Sequence, residues 1–351
     1  MTDTPIQSEP VMVPDGRSSG RFARSVAAHA ALAALMVISP LVVFLPAALM
    51  HCGLKNGRRA AWLALTIAVA LAGLMAWLSS RAPGASEIEM KMSFAFIAGL
   101  VLAVGVPSLL LLPMVERGES MGRVLMLALL LAIGGLAITE GGMRAIAGFS
   151  PYQDQLARGR VTASHFVDFY AKNGMQSDAI SVFRKWMDIG LSCLPGFFLI
   201  DIAVMYVLSL VMLGRLRAWR AFIASRRGVA AEPQRAGPYL FRNFALPEWL
   251  LFGFVLGGLS PLLSGLAQTI GANVLAVVAF LYLLQGLAIF RAMLAATGAG
   301  ALGVAIAYAM LAVLTLTGIA PLLLSIAGLF DSFFDFRHFN RKDDSHEGHT
   351  D

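Results

Sequence analysis

Residues 238–294 read PYLFRNFALPEWLLFGFVLGGLSPLLSGLAQTIGANVLAVVAFLYLLQGLAIFRAML, two long apolar runs joined by a short link around residues 268–271. Each run is about 20 residues, the length a helix needs to cross roughly 30 Å of hydrocarbon at 1.5 Å per residue. The stretch predicts a tight membrane hairpin. Its start is marked by Pro247, Glu248 and Trp249. Proline suits a first helical turn, the carboxylate suits the positive end of a helix dipole, and the indole suits the membrane interface.

The same signal recurs along the chain. Apolar residues make up 58% and charged residues 14%, against about 45–50% and about 25% in soluble domains, so a soluble fold could not hide the apolar surface. Net charge is +6, with the lysines and arginines set in blocks beside apolar runs. That placement orients a protein in a membrane and argues against a nucleic-acid partner. Cys52 and Cys193 have no neighbours at metal-ligand spacing and read as unpaired thiols. No metal site and no cofactor is expected.

The N-terminus, residues 1–25, reads as a disordered cytoplasmic tail. The first apolar run, residues 26–50, is interrupted by Pro40 and Pro46, so it is one kinked span or a short hairpin. Basic residues flank it on both sides (Arg17, Arg21 and Arg24; Lys55, Arg58 and Arg59), which favours a hairpin returning to the cytoplasm. Within it Ala30 and Ala34 keep the small-xxx-small spacing on which helices approach closely. Further runs cover residues 60–79, 93–113, 124–139 and 189–214, the first three completing an N-terminal set of membrane helices over residues 26–139. Residues 140–188 form a polar insertion on the opposite, periplasmic, side. In it Ser150-Pro151 predicts a helix cap, Asn173-Gly174 a stop and Ser177 a second cap. His165, Phe166, Phe169 and Tyr170 would share one face, lying on the bilayer or folding over the bundle.

Seven arginines between Arg215 and Arg242 face the lone Glu232, the strongest orientation signal in the chain, and place residues 215–246 in the cytoplasm as a basic loop. C-terminal membrane helices then occupy residues 247–330, with a break expected near Gly318 and Pro321. In the end segment, residues 331–351, Phe330, Phe333, Phe334 and Phe336 alternate with Asp331, Asp335 and Arg337, which suits an interfacial helix with a wet face, ahead of a polar tail. The expected architecture is an all-α polytopic bundle with about eight membrane-embedded helices.

Asp201 lies near the centre of the run at residues 189–214, where an ionised carboxylate costs several kcal/mol unless it meets a partner, water or a proton. It is the candidate proton or cation site, with helix-to-helix bonding as the structural alternative. Pro195-Gly196 precedes it and would bend that helix. On the second helix of the central hairpin, Tyr282 and Gln285 fall on adjacent turns of one face with Asn273 near the same stripe. Such a stripe lines a cavity or bonds neighbouring helices. No motif for ATP hydrolysis, zinc proteolysis or serine hydrolysis occurs, so no enzyme is expected.

Several stretches together resemble the YybS-like family of uncharacterised bacterial multi-span membrane proteins. They are Leu194-Pro195 with the basic segment after it, Leu246 to Trp249, the helix from Asn273 ending in Leu284-Gln285-Gly286, and Gly328-Leu329-Phe330-Asp331 through Arg337. The resemblance implies the same membrane class and supplies no reaction. At the level of hydropathy, the proline-broken N-terminal helices also look like the substrate-binding membrane subunits of energy-coupling vitamin transporters. This chain differs from those in having more spans and a large polar insertion. The expectation is a multi-pass protein of the bacterial inner membrane that binds or translocates a small solute, with coupling or ATPase subunits as candidate partners beside the lipid bilayer. The alternative is a non-transporting scaffold or envelope-assembly protein.

Overall fold

The computed structural model describes residues 16–81, 86–226 and 239–334, and among them every regular element is helical. The first apolar run doubles back. Helix α1 (Gly16–Val37) ends before a 3-10 turn (Pro40–Phe44) capped by Ser39, and α2 (Leu45–Asn56) returns beside it. At the open end Asn56 Nδ2 donates to Ser25 Oγ at 3.1 Å, and the His29 and His51 rings stack with centroids 5.6 Å apart. At 1.5 Å per residue α2 is about 18 Å long, too short to cross the bilayer by itself, and the run is a hairpin with both basic flanks at one end, not one kinked helix. The hairpin packs by small side chains: Ala30, Ala33, Ala47, Ala61 and Ala64 are buried, and Ala34 of the small-xxx-small pair faces inward with Ala30. Because α1 begins at Gly16, the later part of the expected tail is helix.

Helices α3 (Arg58–Ser79), α4 (Glu87–Arg117) and α5 (Met121–Ala147) then cross in succession. An ion pair of 2.9 Å between Arg58 and Glu116 joins the start of α3 to the end of α4. Pro107 has no N–H to offer, and just before it α4 widens into a π turn (Val101–Gly105). The Val104 carbonyl in that turn accepts from Ser108 Oγ at 2.6 Å and from Tyr206 Oη at 2.9 Å, both fully buried.

The polar insertion is two helices, as its caps predict: α6 (Pro151–Lys172) and α7 (Ser177–Ser192). Ser150 Oγ accepts from Gln153 N at 3.2 Å, and Gly174 takes a left-handed φ of 86° between the helices. Ser177 opens α7, with Gln176 at the cap position. Tyr170 packs edge-on against Phe169 and Phe183, which holds α6 to α7. Phe166 and Phe169 stay exposed.

The run expected as one helix over residues 189–214 is broken at Cys193, where α7 ends and α8 (Leu194–Arg226) begins. Helix α8 then continues beyond residue 214 into the basic segment, whose first part is therefore helix and not loop.

The central hairpin also differs from its sequence reading. Helix α9 (Leu250–Gly258) is followed by a 3-10 turn (Ser260–Leu262), and α10 (Gly265–Ala296) starts earlier than expected. Residues 268–271, read as the link, lie inside α10. The link sits where Pro261 lacks a donor and Gly265 adopts a φ of 61°. Helices α11 (Ala301–Leu316) and α12 (Ile319–Phe334) meet at a bend of 108° at Gly318, the break expected there. Five helices among the described residues are long and apolar enough to span, or six if the bent pair is one span. The shorter apolar helices Phe22–Val37 and Leu250–Leu262 bring the embedded total near the expected eight, but the full crossings are fewer.

Candidate functional site

The break between α7 and α8 leaves backbone groups without helical partners, and one side chain collects them. Asn273 Oδ1 accepts from Gly196 N at 2.6 Å, while its Nδ2 donates to Ser192 O at 2.9 Å and to Thr269 O at 2.8 Å. Pro195 cannot donate, and Gly196 N lies in the first turn of α8, where amides lack helical carbonyl partners. A Cβ on Gly196 would lie 3.0 Å from Asn273 Oδ1, which is why a glycine stands there. Asn273, expected to line a cavity, thus spends its amide on stapling α10 to the broken helix.

Beside the staple opens a half-open groove of about 590 Å³ between the insertion and the start of α10. Tyr152, Leu156 and Arg160 line it from α6, Asp188, Leu191 and Ser192 from α7, and Thr269 from α10. Its α6 wall is fixed at the root by Glu140 of α5. One carboxylate oxygen accepts from Ser150 Oγ and pairs with Arg144 Nε at 2.7 Å; the other accepts from Tyr152 N at 3.1 Å. A carboxylate suits this position, at the positive end of the α6 dipole. Glu140, Arg160 and Asp188 were not singled out from sequence. The spacing of Tyr152, Leu156 and Arg160 at i, i+4, i+8 was legible, but their meeting with Asp188 spans 28 residues (188 − 160) and two helices.

At the other end of α10 a second polar cluster is closed off from solvent. Gln285, 2% exposed, accepts at Oε1 from Leu246 N (3.1 Å) and donates through Nε2 to Asp331 Oδ2 (3.0 Å). It thereby joins the segment before α9, α10 and α12. The Tyr282 and Ser332 hydroxyls are buried beside this pair without a hydrogen bond of good geometry. The approach of α12 to α10 rests on two glycines: a Cβ on Gly286 would lie 1.9 Å from Leu324 O, and one on Gly328 2.0 Å from Tyr282 O. Ser325 Oγ adds a bond to Ala279 O at 3.1 Å.

This contact inverts the expected wet face of the end segment. Asp331 points into the protein and is 9% exposed, whereas Phe330, Phe333 and Phe334 face outward at 46%, 60% and 61%. The reason is that a buried amide partner and a glycine seam lie on the Asp331 side. Asp335 and Arg337 fall outside the described residues. Pro247 and Glu248 precede α9 in a turn where Leu250 N bonds Pro247 O at 3.1 Å, and Trp249 is 51% exposed, as an interfacial indole would be.

Of the four residues singled out as a solute or ion site, the structure brings Tyr282 and Gln285 together, in the company of Asp331. Asn273 lies apart from them, at the opposite end of α10. Asp201 stands on an exposed face of α8, and among the described residues no hydrogen bond or ion pair joins it to any of the other three.

The fold and these clusters define a polytopic α-helical membrane protein with a two-helix polar insertion. The chain belongs to the family described as predicted membrane proteins (DUF2232), which matches residues 88–332, from the start of α4 into α12. The YybS-like resemblance is consistent with that membership. The match takes in the groove, the Asn273 staple and the Gln285 cluster, and leaves out the N-terminal hairpin and α3. No curated protein and no solved structure matches the chain.

Proposed function

We propose that the protein binds a small solute in the groove between the insertion and α10 and passes it across the membrane, with Asp201 as the proton- or cation-carrying group. The observation that carries this reading is the position of the groove over a broken helix: Ser192 and Thr269 line it, and the same two residues give their carbonyls to Asn273. Ligand binding beside a helix break is a recurrent way to combine free backbone groups with a hinge. Asp201 supports the coupling role because it has no hydrogen bond or ion pair among the described residues, and a carboxylate so placed inside a span is stable only when it is protonated, hydrated or holding a cation. In this reading Tyr282 and Gln285 act from the far end of α10, latching it to α12, and no catalytic step is assigned. The positive charge of the basic segment orients the insertion outward from a bacterial inner membrane.

A second reading, a scaffold or envelope-assembly protein, is favoured by α11. No residue of α11 is buried, and Leu302, Met310 and Leu316 are 75%, 62% and 89% exposed. Native mass spectrometry of the protein extracted gently from its own membrane separates the two. A retained metabolite, or a coupling or ATPase subunit at fixed stoichiometry, supports transport, and Asp201→Asn should then abolish uptake while binding persists. A protein carrying only envelope components, with uptake unchanged in Asp201→Asn, overturns it in favour of the scaffold.

A further inference from the structure

The groove presents two opposite charges that the protein itself does not use. Tyr152, Leu156 and Arg160 follow one another at i, i+4, i+8 on α6, and the same stripe continues into Ala163 and Val167, which are buried. Arg160 lines the groove from that same stripe, and both it and Asp188 remain open to solvent. Arg158, two residues away, is instead paired with Asp154 at 2.6 Å. Across the groove, Asp188 stands one turn before Leu191, and Leu191 packs so closely on α6 that a Cβ on Gly159 would lie 2.6 Å from its Cδ2. The glycine contact holds α7 close against α6 beside the groove. Both line the groove, yet among the described residues neither side chain has a hydrogen bond or an ion pair.

We infer that the groove selects a zwitterion, with the ligand's anionic group on the Arg160 guanidinium and its ammonium group on the Asp188 carboxylate. The inference rests on the solute-binding reading above and narrows it to a class of ligand. A singly charged molecule satisfies one wall and leaves the other charge facing a displaced water shell, which is how a site discriminates against the wrong partner. The remaining lining fits a small polar molecule: hydroxyls from Tyr152, Ser192 and Thr269, with Leu156 and Leu191 as apolar surface. A volume of about 590 Å³ lies within the range of small-molecule sites. The same chemistry reaches this groove from two sources, a soluble zwitterion such as an amino acid or the headgroup of phosphatidylethanolamine.

The test uses the full-length protein in nanodiscs of phosphatidylglycerol alone. Each of the twenty amino acids and glycerophosphoethanolamine is screened by native mass spectrometry, and a parallel arm adds phosphatidylethanolamine to the discs. Any zwitterion retained is then titrated beside its analogue lacking the anionic group and its analogue lacking the amine. The zwitterion should bind about tenfold or more tightly than either analogue, as expected for loss of one charge-assisted contact. Arg160→Gln should remove the preference over the analogue lacking the anionic group while binding that analogue as the native protein does, which also shows that the variant is folded. Asp188→Asn should do the same for the analogue lacking the amine. Retention of phosphatidylethanolamine, lost in both variants, with no soluble zwitterion bound supports the inference with a lipid source. If a singly charged analogue binds as tightly as the zwitterion, the zwitterion inference fails and the solute-binding reading stands. If no probe binds in either arm, the zwitterion inference fails, while the solute-binding reading is decided by the extraction experiment above.

Discussion

Replacing Gly135 of α5 by alanine would place a methyl group 2.3 Å from the Leu102 carbonyl oxygen, 2.5 Å from its carbon and 2.8 Å from Ala103 N, all in the π turn of α4. Ordinary carbon–oxygen contacts lie near 3.3 Å, so α5 must retreat by about 1 Å, and gaps of that size forfeit roughly a quarter to a half of each dispersion contact along the seam. Overpacking of this kind costs about 1–3 kcal/mol, only partly offset by the gain of up to about 1 kcal/mol in helix propensity. Gly134, the preceding residue, has nothing within 4 Å of the same added methyl group. There the propensity gain stands alone, and Gly134→Ala should be neutral or stabilising by up to about 1 kcal/mol. The propensity gain is common to both, so the two variants should differ by the overpacking cost, about 1–3 kcal/mol. Reversible unfolding in mixed micelles on titration with dodecyl sulfate, followed by circular dichroism, measures the difference. If Gly135→Ala unfolds at the same or higher denaturant than Gly134→Ala, α4 and α5 do not touch as described.

Gln285→Leu leaves Leu246 N and Asp331 each short of a partner in a buried place, and should destabilise by about 2–4 kcal/mol in the same unfolding assay. Asn273→Ala should cost about 2–3 kcal/mol through loss of three bonds at the helix break. Asn273→Asp, which turns a donor to Ser192 O and Thr269 O into an acceptor, should cost at least as much; a milder effect of aspartate would refute the staple. Glu140→Gln loosens the root of the insertion and should leave global unfolding within about 1 kcal/mol of the native protein. Proteolysis near Gly148 should meanwhile become several-fold faster, and an unchanged cleavage rate would show that Glu140 does not hold α6 in place.

Much of the architecture was legible along the chain. Apolar run length and the arginine blocks gave a polytopic helical membrane protein. Pro40, Gly318 with Pro321, and Asn173-Gly174 marked breaks that the structure contains. These are local properties: a proline lacks its donor and a span must match the bilayer wherever the segment packs. The tertiary structure alone decided which polar groups meet. It turned Asp331 from an expected wet face into the partner of Gln285, set Asn273 on a break 77 residues earlier at Gly196, and left Asp201 exposed. It also moved the hairpin link from residues 268–271 to Pro261 and Gly265, and brought Arg160 and Asp188 to one groove. The physical reason is that lipid is as apolar as a leucine-rich interior, so hydrophobic pattern locates a span without saying which of its faces is inside. In this protein that choice is made by close approach at Gly135, Gly286 and Gly328, a property of two helices at once and of neither sequence alone.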